Sequence, residues 1–176
     1  MSKTRAELFA FLDAIGITTK THEHRAVFTV AESLEIEKAM PGGHTKNLFL
    51  KDKKGLIFLV VAAHDAGIDL KALHKKLDCD RLSFGRPELL QQVLGVMPGS
   101  VTPFAIINDT GQRVTIVLDE RMLAHAVLNY HPLENTATTA IARDDLLRFI
   151  RATGHEPRIV AVSAPAPPEV LSGTAP

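Results

Sequence analysis

The sequence predicts an α+β fold: a single domain with a mixed, largely antiparallel, curved sheet flanked by helices. Two apolar runs are joined by the polar turn Lys51-Asp52-Lys53-Lys54-Gly55, and two more by Asp109-Thr110-Gly111, as hairpins require. Amphipathic stretches with start and stop signals are interspersed among these hairpins, which points to helices laid on such a sheet. The length, 176 residues, suits one domain with a substantial core and leaves little room for two.

Taken in order, Thr4-Arg5-Ala6-Glu7 has the form of a capping box, Leu8, Phe11, Leu12 and Ile15 follow at helical spacing, and Gly16 stops the helix. Ile17 to His24 alternates loosely and is rich in threonine, so it reads as a strand. Thr29-Val30-Ala31-Glu32 is a second capping box opening a short helix to about Ala39, broken by Pro41-Gly42-Gly43. His44 to Leu50 and Leu56 to Ala62 read as paired strands. Asp69 is placed to cap a helix carrying Leu70, Leu73 and Leu77, and Arg81 to Phe84 reads as a short strand. Pro87 suits a first helical turn, with Leu89, Leu90, Val93 and Leu94 inward and Gly95 at the end. Phe104 to Asn108 and Arg113 to Leu118 read as strands, Asp119 as the cap of a helix through Val127, and Leu133 to Ala142 as a strand with three threonines. Asp144 to Ala152 is the last helix, and Arg158 to Val162 a closing strand. The domain is therefore expected over 1–162, and 163–176, rich in Pro, Ala, Ser and Gly, as a disordered tail.

The 20 basic and 20 acidic side chains cancel, which argues against a protein that coats nucleic acid through a large basic surface. Recognition of a few nucleotides at a pocket remains open. Cys79 is the only cysteine, so no intrachain disulfide forms. No apolar run reaches membrane-spanning length, and the amino terminus leads into a helix rather than a signal-peptide core; the expectation is a cytoplasmic protein with no membrane partner. Tyr130 is the only tyrosine and Trp is absent, which leaves little for extended base stacking.

Chemistry-bearing residues gather in three segments. In His44-Thr45-Lys46-Asn47-Leu48-Phe49-Leu50, Lys46 and Asn47 head an apolar run. A lysine there either snorkels to the sheet edge or holds something anionic in a cleft. Gly99-Ser100-Val101-Thr102-Pro103 is either a simple turn or a loop whose backbone N–H groups face a ligand at Gly99. His131 precedes Pro132, which biases it to an extended loop edge; it is either an exposed histidine or a hydrogen-bonding group working near neutral pH. His22 and His24 share a strand face but lack an evident third metal ligand. Cys79 lies between Asp78 and Asp80, whose charges raise a thiol pKa. Ser33, Ser83 and Ser100 lack a recognisable nucleophile elbow or triad. Lys51, Lys53 and Lys54 read as a solvated hairpin tip.

Phe28-Thr29-Val30-Ala31-Glu32, Lys46-Asn47-Leu48-Phe49, Gly99-x-x-x-Pro103 and His131-Pro132 occur in this order and at fitting spacing. In this the chain resembles the YbaK/prolyl-tRNA-synthetase-associated editing domains, most of all the free-standing ProX/PrdX type that includes the alanyl-prolyl-tRNA deacylases. The resemblance runs from the first helix to Val162. It implies a trans-acting deacylase that hydrolyses the ester of a mischarged tRNA, Ala-tRNA(Pro) first, with cysteine or another small residue as the sister specificity. It implies that Lys46 holds the terminal adenosine and its phosphate, that Asn47 supports the ligand, and that Gly99 lends backbone donors in a loop shaped by Ser100 and Pro103. His131 would hold the nucleotide or acyl group, and Phe28 and Thr29 would line the amino-acid pocket. The partners implied are the tRNA 3′ acceptor end and prolyl-tRNA synthetase. No metal and no cofactor is implied, because the ribose hydroxyl beside the ester helps activate water. A non-catalytic nucleotide-binding module and a metal-dependent hydrolase are the alternative classes.

Overall fold

Thr4 opens the first helix, α1 (Arg5–Ala14), with a complete capping box, and Leu8 and Leu12 are buried from it. A computed structural model describes residues 1–27 and 29–164. After α1 come β1 (Lys20–Glu23), α2 (Val30–Ala39), β2 (Gly43–Asp52) and β3 (Ile57–Ala63). Thr29 caps α2, its hydroxyl accepting from the Glu32 N–H at 3.2 Å. The β2–β3 turn is held by Asp52, whose carboxylate accepts from the N–H groups of Lys54, Leu56 and Asp80. There follow α3 (Leu73–Leu77), β4 (Leu82–Phe84), α4 (Pro87–Leu94), a 3₁₀ helix over Pro103–Asn108, β5 (Val114–Asp119), a 3₁₀ turn over Met122–Ala124, β6 (Val127–Tyr130), β7 (Ala137–Ala142), α5 (Arg143–Ala152) and β8 (Arg158–Val160).

The eight strands form one mixed sheet in the order β1-β7-β6-β2-β3-β5-β8, with β4 on β2. Four pairings are antiparallel (β1–β7, β2–β3, β2–β4, β6–β7) and three parallel (β2–β6, β3–β5, β5–β8). The α+β, mostly antiparallel reading is thus the observed architecture. Alternation along β2 and β3 splits the core in two. Phe49, Ile57, Leu59 and Val61 face α1, α4 and α5, while Leu50, Phe58 and Val60 face Leu73 and Leu77 of α3.

Several expected elements differ. Phe104 to Asn108 is not a strand. Thr102 accepts from the Phe104 N–H at 3.3 Å, Pro103 pre-sets the first turn, and Pro103 through Ile107 are all buried. An apolar run buried all round carries no period that separates the two states. Asp119 caps no helix; it ends β5, and its fully buried carboxylate accepts from Val162 N–H at 3.2 Å and Ser163 O–H at 2.6 Å. Val127 to Tyr130 is strand, and the strand expected from Leu133 begins only at Ala137, after Leu133 takes a left-handed φ of 70°. The third helix starts at Leu73, since Asp69 instead accepts from Lys71 N–H in a turn. Ser163 is buried and Ala164 N–H donates to Gly67 O, so these two residues of the expected tail are tied to the domain; 165–176 lie outside the described residues. Among the described residues no helix is long and apolar enough to cross a membrane.

Candidate functional site

The site is built where β2 and β6 meet. Gly42 has φ +106°, and a side chain there would run into Val127 O at 2.7 Å; a Cβ at Gly43 would sit 2.8 Å from the His125 ring. Two glycines thus let the start of β2 press against β6. The strands pair in parallel at Gly43↔Leu128 and His44↔Asn129 and no further. Thr45 Oγ1 donates to Asn129 O at 2.8 Å and closes the last rung. Beyond it lies a cavity of about 140 Å³, lined from β2 by His44, Thr45 and Asn47, from β6 by Asn129 and Tyr130, from the loop after it by His131, from β7 by Thr138, and roofed by Ser33, Ile36 and Glu37 of α2.

The histidines around the cavity have identifiable anchors. His131 Nδ1–H donates to Ala137 O at 2.8 Å across its own loop, so the neutral ring keeps a lone pair on Nε2. Burial holds His131 below the ordinary imidazole range, with the Ala137 carbonyl pulling the other way. His24 Nδ1–H donates to Arg25 O, and its Nε2 accepts from Thr138 Oγ1 at 2.8 Å. His64 donates from Nδ1 to His44 O at 3.1 Å, and its Nε2 lies 3.5 Å from Glu37. Arg5 reaches Glu134 at 2.9 Å and steadies the loop after His131. A wider cavity of about 510 Å³, lined by His22, His24 and Arg25, adjoins the small one at Val27 and Ile36.

The strict alternation of β2 sends Asn47 and Lys46 to opposite faces. Lys46 lies opposite Ala62 on the Leu48–Leu50 face, and its ammonium donates to Ala66 O. Gly99, with φ +92°, packs near Asn135 of the His131 loop but does not line the cavity. Ser100 N–H is committed to Met97 O, whereas no protein acceptor among the described residues reaches the N–H groups of Gly99 and Val101. Pro103 is buried at the start of its 3₁₀ helix, and Thr29 is exposed at the head of α2. Phe28 lies outside the described residues.

The family model described as "Aminoacyl-tRNA editing domain" matches residues 24–149. The chain belongs to the aminoacyl-tRNA editing domain family. It is 42% identical over 159 residues to the zebrafish (Danio rerio) prolyl-tRNA synthetase associated domain-containing protein 1, covering 89% of this chain and 86% of that protein. It is 36% identical over 149 residues to the prolyl-tRNA editing protein ProX of Acetoanaerobium sticklandii, covering 84% and 91%. A crystal structure of a candidate trans-editing enzyme for prolyl tRNA synthetase superposes with a TM-score of 0.67 at 20% identity, covering 91% of this chain and 98% of that one, which shows a shared fold.

In this editing domain, then, two of the residues singled out from sequence, Asn47 and His131, meet in one cavity, and Lys46 and the Gly99 loop do not line it. Sequence reasoning gave no site role to Asn129, Thr138 or His64. The available signal was Asn129 itself, a polar residue inside the apolar run Val127-Leu128-Asn129-Tyr130. Other polar groups have structural roles. Buried His155 donates to Asp109 at 2.8 Å and ties the end of α5 to the start of β5. The Cys79 thiol is pushed up chiefly by burial, then by Asp52 and Asp80. Among the described residues no group of three or more His, Cys, Asp and Glu is arranged to hold a metal.

Proposed function

We propose that this editing domain is a trans-acting deacylase that removes a small amino acid, alanine foremost, from the 3′ end of proline tRNA. The observation that carries the reading is the small polar cavity at the β2–β6 split, set in a chain of the editing family. Its volume of about 140 Å³ is close to the ~150 Å³ that takes a single six-membered ring. An alanyl group is smaller than that and enters; alanine is set apart from proline by the shape of the walls and not by the volume alone. A relative named as a prolyl-tRNA editing protein supports proline tRNA as the carrier, and one named as prolyl-tRNA synthetase associated supports that synthetase as the neighbour.

The chemistry is modest because the aminoacyl ester is already activated. Water adds to the ester carbonyl, the oxyanion collapses, and the ribose oxygen leaves with a proton, giving free amino acid and tRNA. The N–H groups of Gly99 and Val101 are the donors offered to the oxyanion. The adjacent ribose hydroxyl orients the water, and His131 Nε2 holds the terminal nucleotide or acyl group by accepting a hydrogen bond. The nucleotide lies toward the wider opening at His24 and Arg25. Lys46 either leaves Ala66 to meet the terminal phosphate or steadies the loop that carries His64 into the cavity.

The test is deacylation of proline tRNA charged with alanine, cysteine or proline, by wild type and Lys46→Ala. Selective loss of alanine supports the reading. In Lys46→Ala, a raised KM marks a phosphate anchor and a lowered kcat with unchanged KM marks a loop support. Tight tRNA binding with no turnover of any ester would instead establish a binding module.

A further inference from the structure

Asn129 is 3% exposed, and its side-chain nitrogen donates to two backbone carbonyls, Pro41 O at 3.3 Å and Gly43 O at 3.2 Å. Carbonyls can only accept, so these two contacts fix which end of the amide is nitrogen. The oxygen is turned away from them, and no donor among the described residues reaches it. Asn47 repeats the pattern from the facing strand: its Oδ1 is also buried and also without a protein donor. Both residues line the same 140 Å³ cavity. The third such atom, His74 Nδ1, is on α3 and outside this cavity.

Buried acceptors without partners are costly, and native proteins keep them where water or a ligand supplies the donor. Both acceptors belong to residues that line one small space, so a ligand group that meets the two of them carries at least two N–H donors. We propose that Asn129 and Asn47 form the subsite for the α-amino group of the acyl substrate, Asn129 being a substrate-positioning residue held in place by its bonds to Pro41 and Gly43. This rests on the deacylase reading and adds to it a requirement for the amine itself. The subsite fixes the acyl group at its nitrogen and so aims the ester carbonyl. An acyl group of equal size with a hydroxyl in place of the amine has one donor for two acceptors and leaves one of them unpaired. That is the situation in which a polar site discriminates strongly.

The experiment compares proline tRNA charged with alanine and with lactate, its isosteric hydroxy acid, using the wild-type protein. Each rate is divided by the spontaneous hydrolysis of the same ester in buffer, which removes the different reactivity of the two esters. The expected result is an enhancement about tenfold or more greater for alanyl than for lactyl ester. Asn129→Leu also removes the clamp on Pro41 and Gly43 and is liable to misfold, so the variant measured is Asn47→Leu, expected to narrow the alanyl-to-lactyl ratio. Equal enhancement of both esters, or an unchanged ratio in Asn47→Leu, overturns the subsite and leaves the deacylase standing. No enhancement of either ester overturns the deacylase and the subsite together.

Discussion

His131 shows how one residue's chemistry follows from its two bonds and its burial. Nδ1–H is spent on Ala137 O, and desolvation disfavours the charged ring, so the neutral form with a free Nε2 lone pair is the folded-state form. Its pKa in the fold lies below the unfolded 6.5, so the unfolded chain binds the extra proton first. The stability this group supplies is complete above pH 6.5 and is lost as pH falls below it. An NMR titration of the ring is expected to give a midpoint under 6.5, with activity holding through neutral pH and falling only on the acid side of that value. A midpoint at or above 6.5 would contradict the assignment. The sequence placed His131 at a loop edge correctly because Pro132 restricts it. It did not reveal Asn129, because a buried asparagine announces itself only through what its two ends can reach. Nor did adjacency of Lys46 and Asn47 mean a shared cleft: the two-residue period of a strand parts them.

At the scale of elements, capping and turn chemistry were legible and the state of buried apolar runs was not. Thr4, Thr29, Pro87 and Gly95 act where their side chains or backbone freedom place them. Phe104 to Asn108 was misread because burial on every side removes periodicity, and only Thr102-Pro103 hints at a helical turn. The 3₁₀ helix is nevertheless core. Phe104 is fully buried and meets Tyr130 and Phe149 edge to face at ring separations of 6.0 and 5.4 Å. Phe104→Ala is expected to cost about 3–5 kcal/mol in urea unfolding. A cost near ~1 kcal/mol would mean that the helix can collapse into the space.

At the scale of the molecule, the proposed site exists because the sheet fails to close. β2 is paired along its length with β3, yet pairs with β6 at only two positions, and the cavity opens beyond them. Hairpins are local and can be read from sequence; the β2–β6 pairing joins residues about 85 apart and leaves no local trace beyond Gly42-Gly43. A charge-neutral chain suits such a site, since a reader of one splayed nucleotide end needs few phosphate contacts. The measurement that tests this most directly is a crystal structure with a hydrolysis-resistant amide analogue of 3′-alanyl-adenosine. The alanyl group is predicted inside the β2–β6 cavity, against Asn47, Asn129 and His131. An alanyl group seated elsewhere, with that cavity holding only water, would contradict the account.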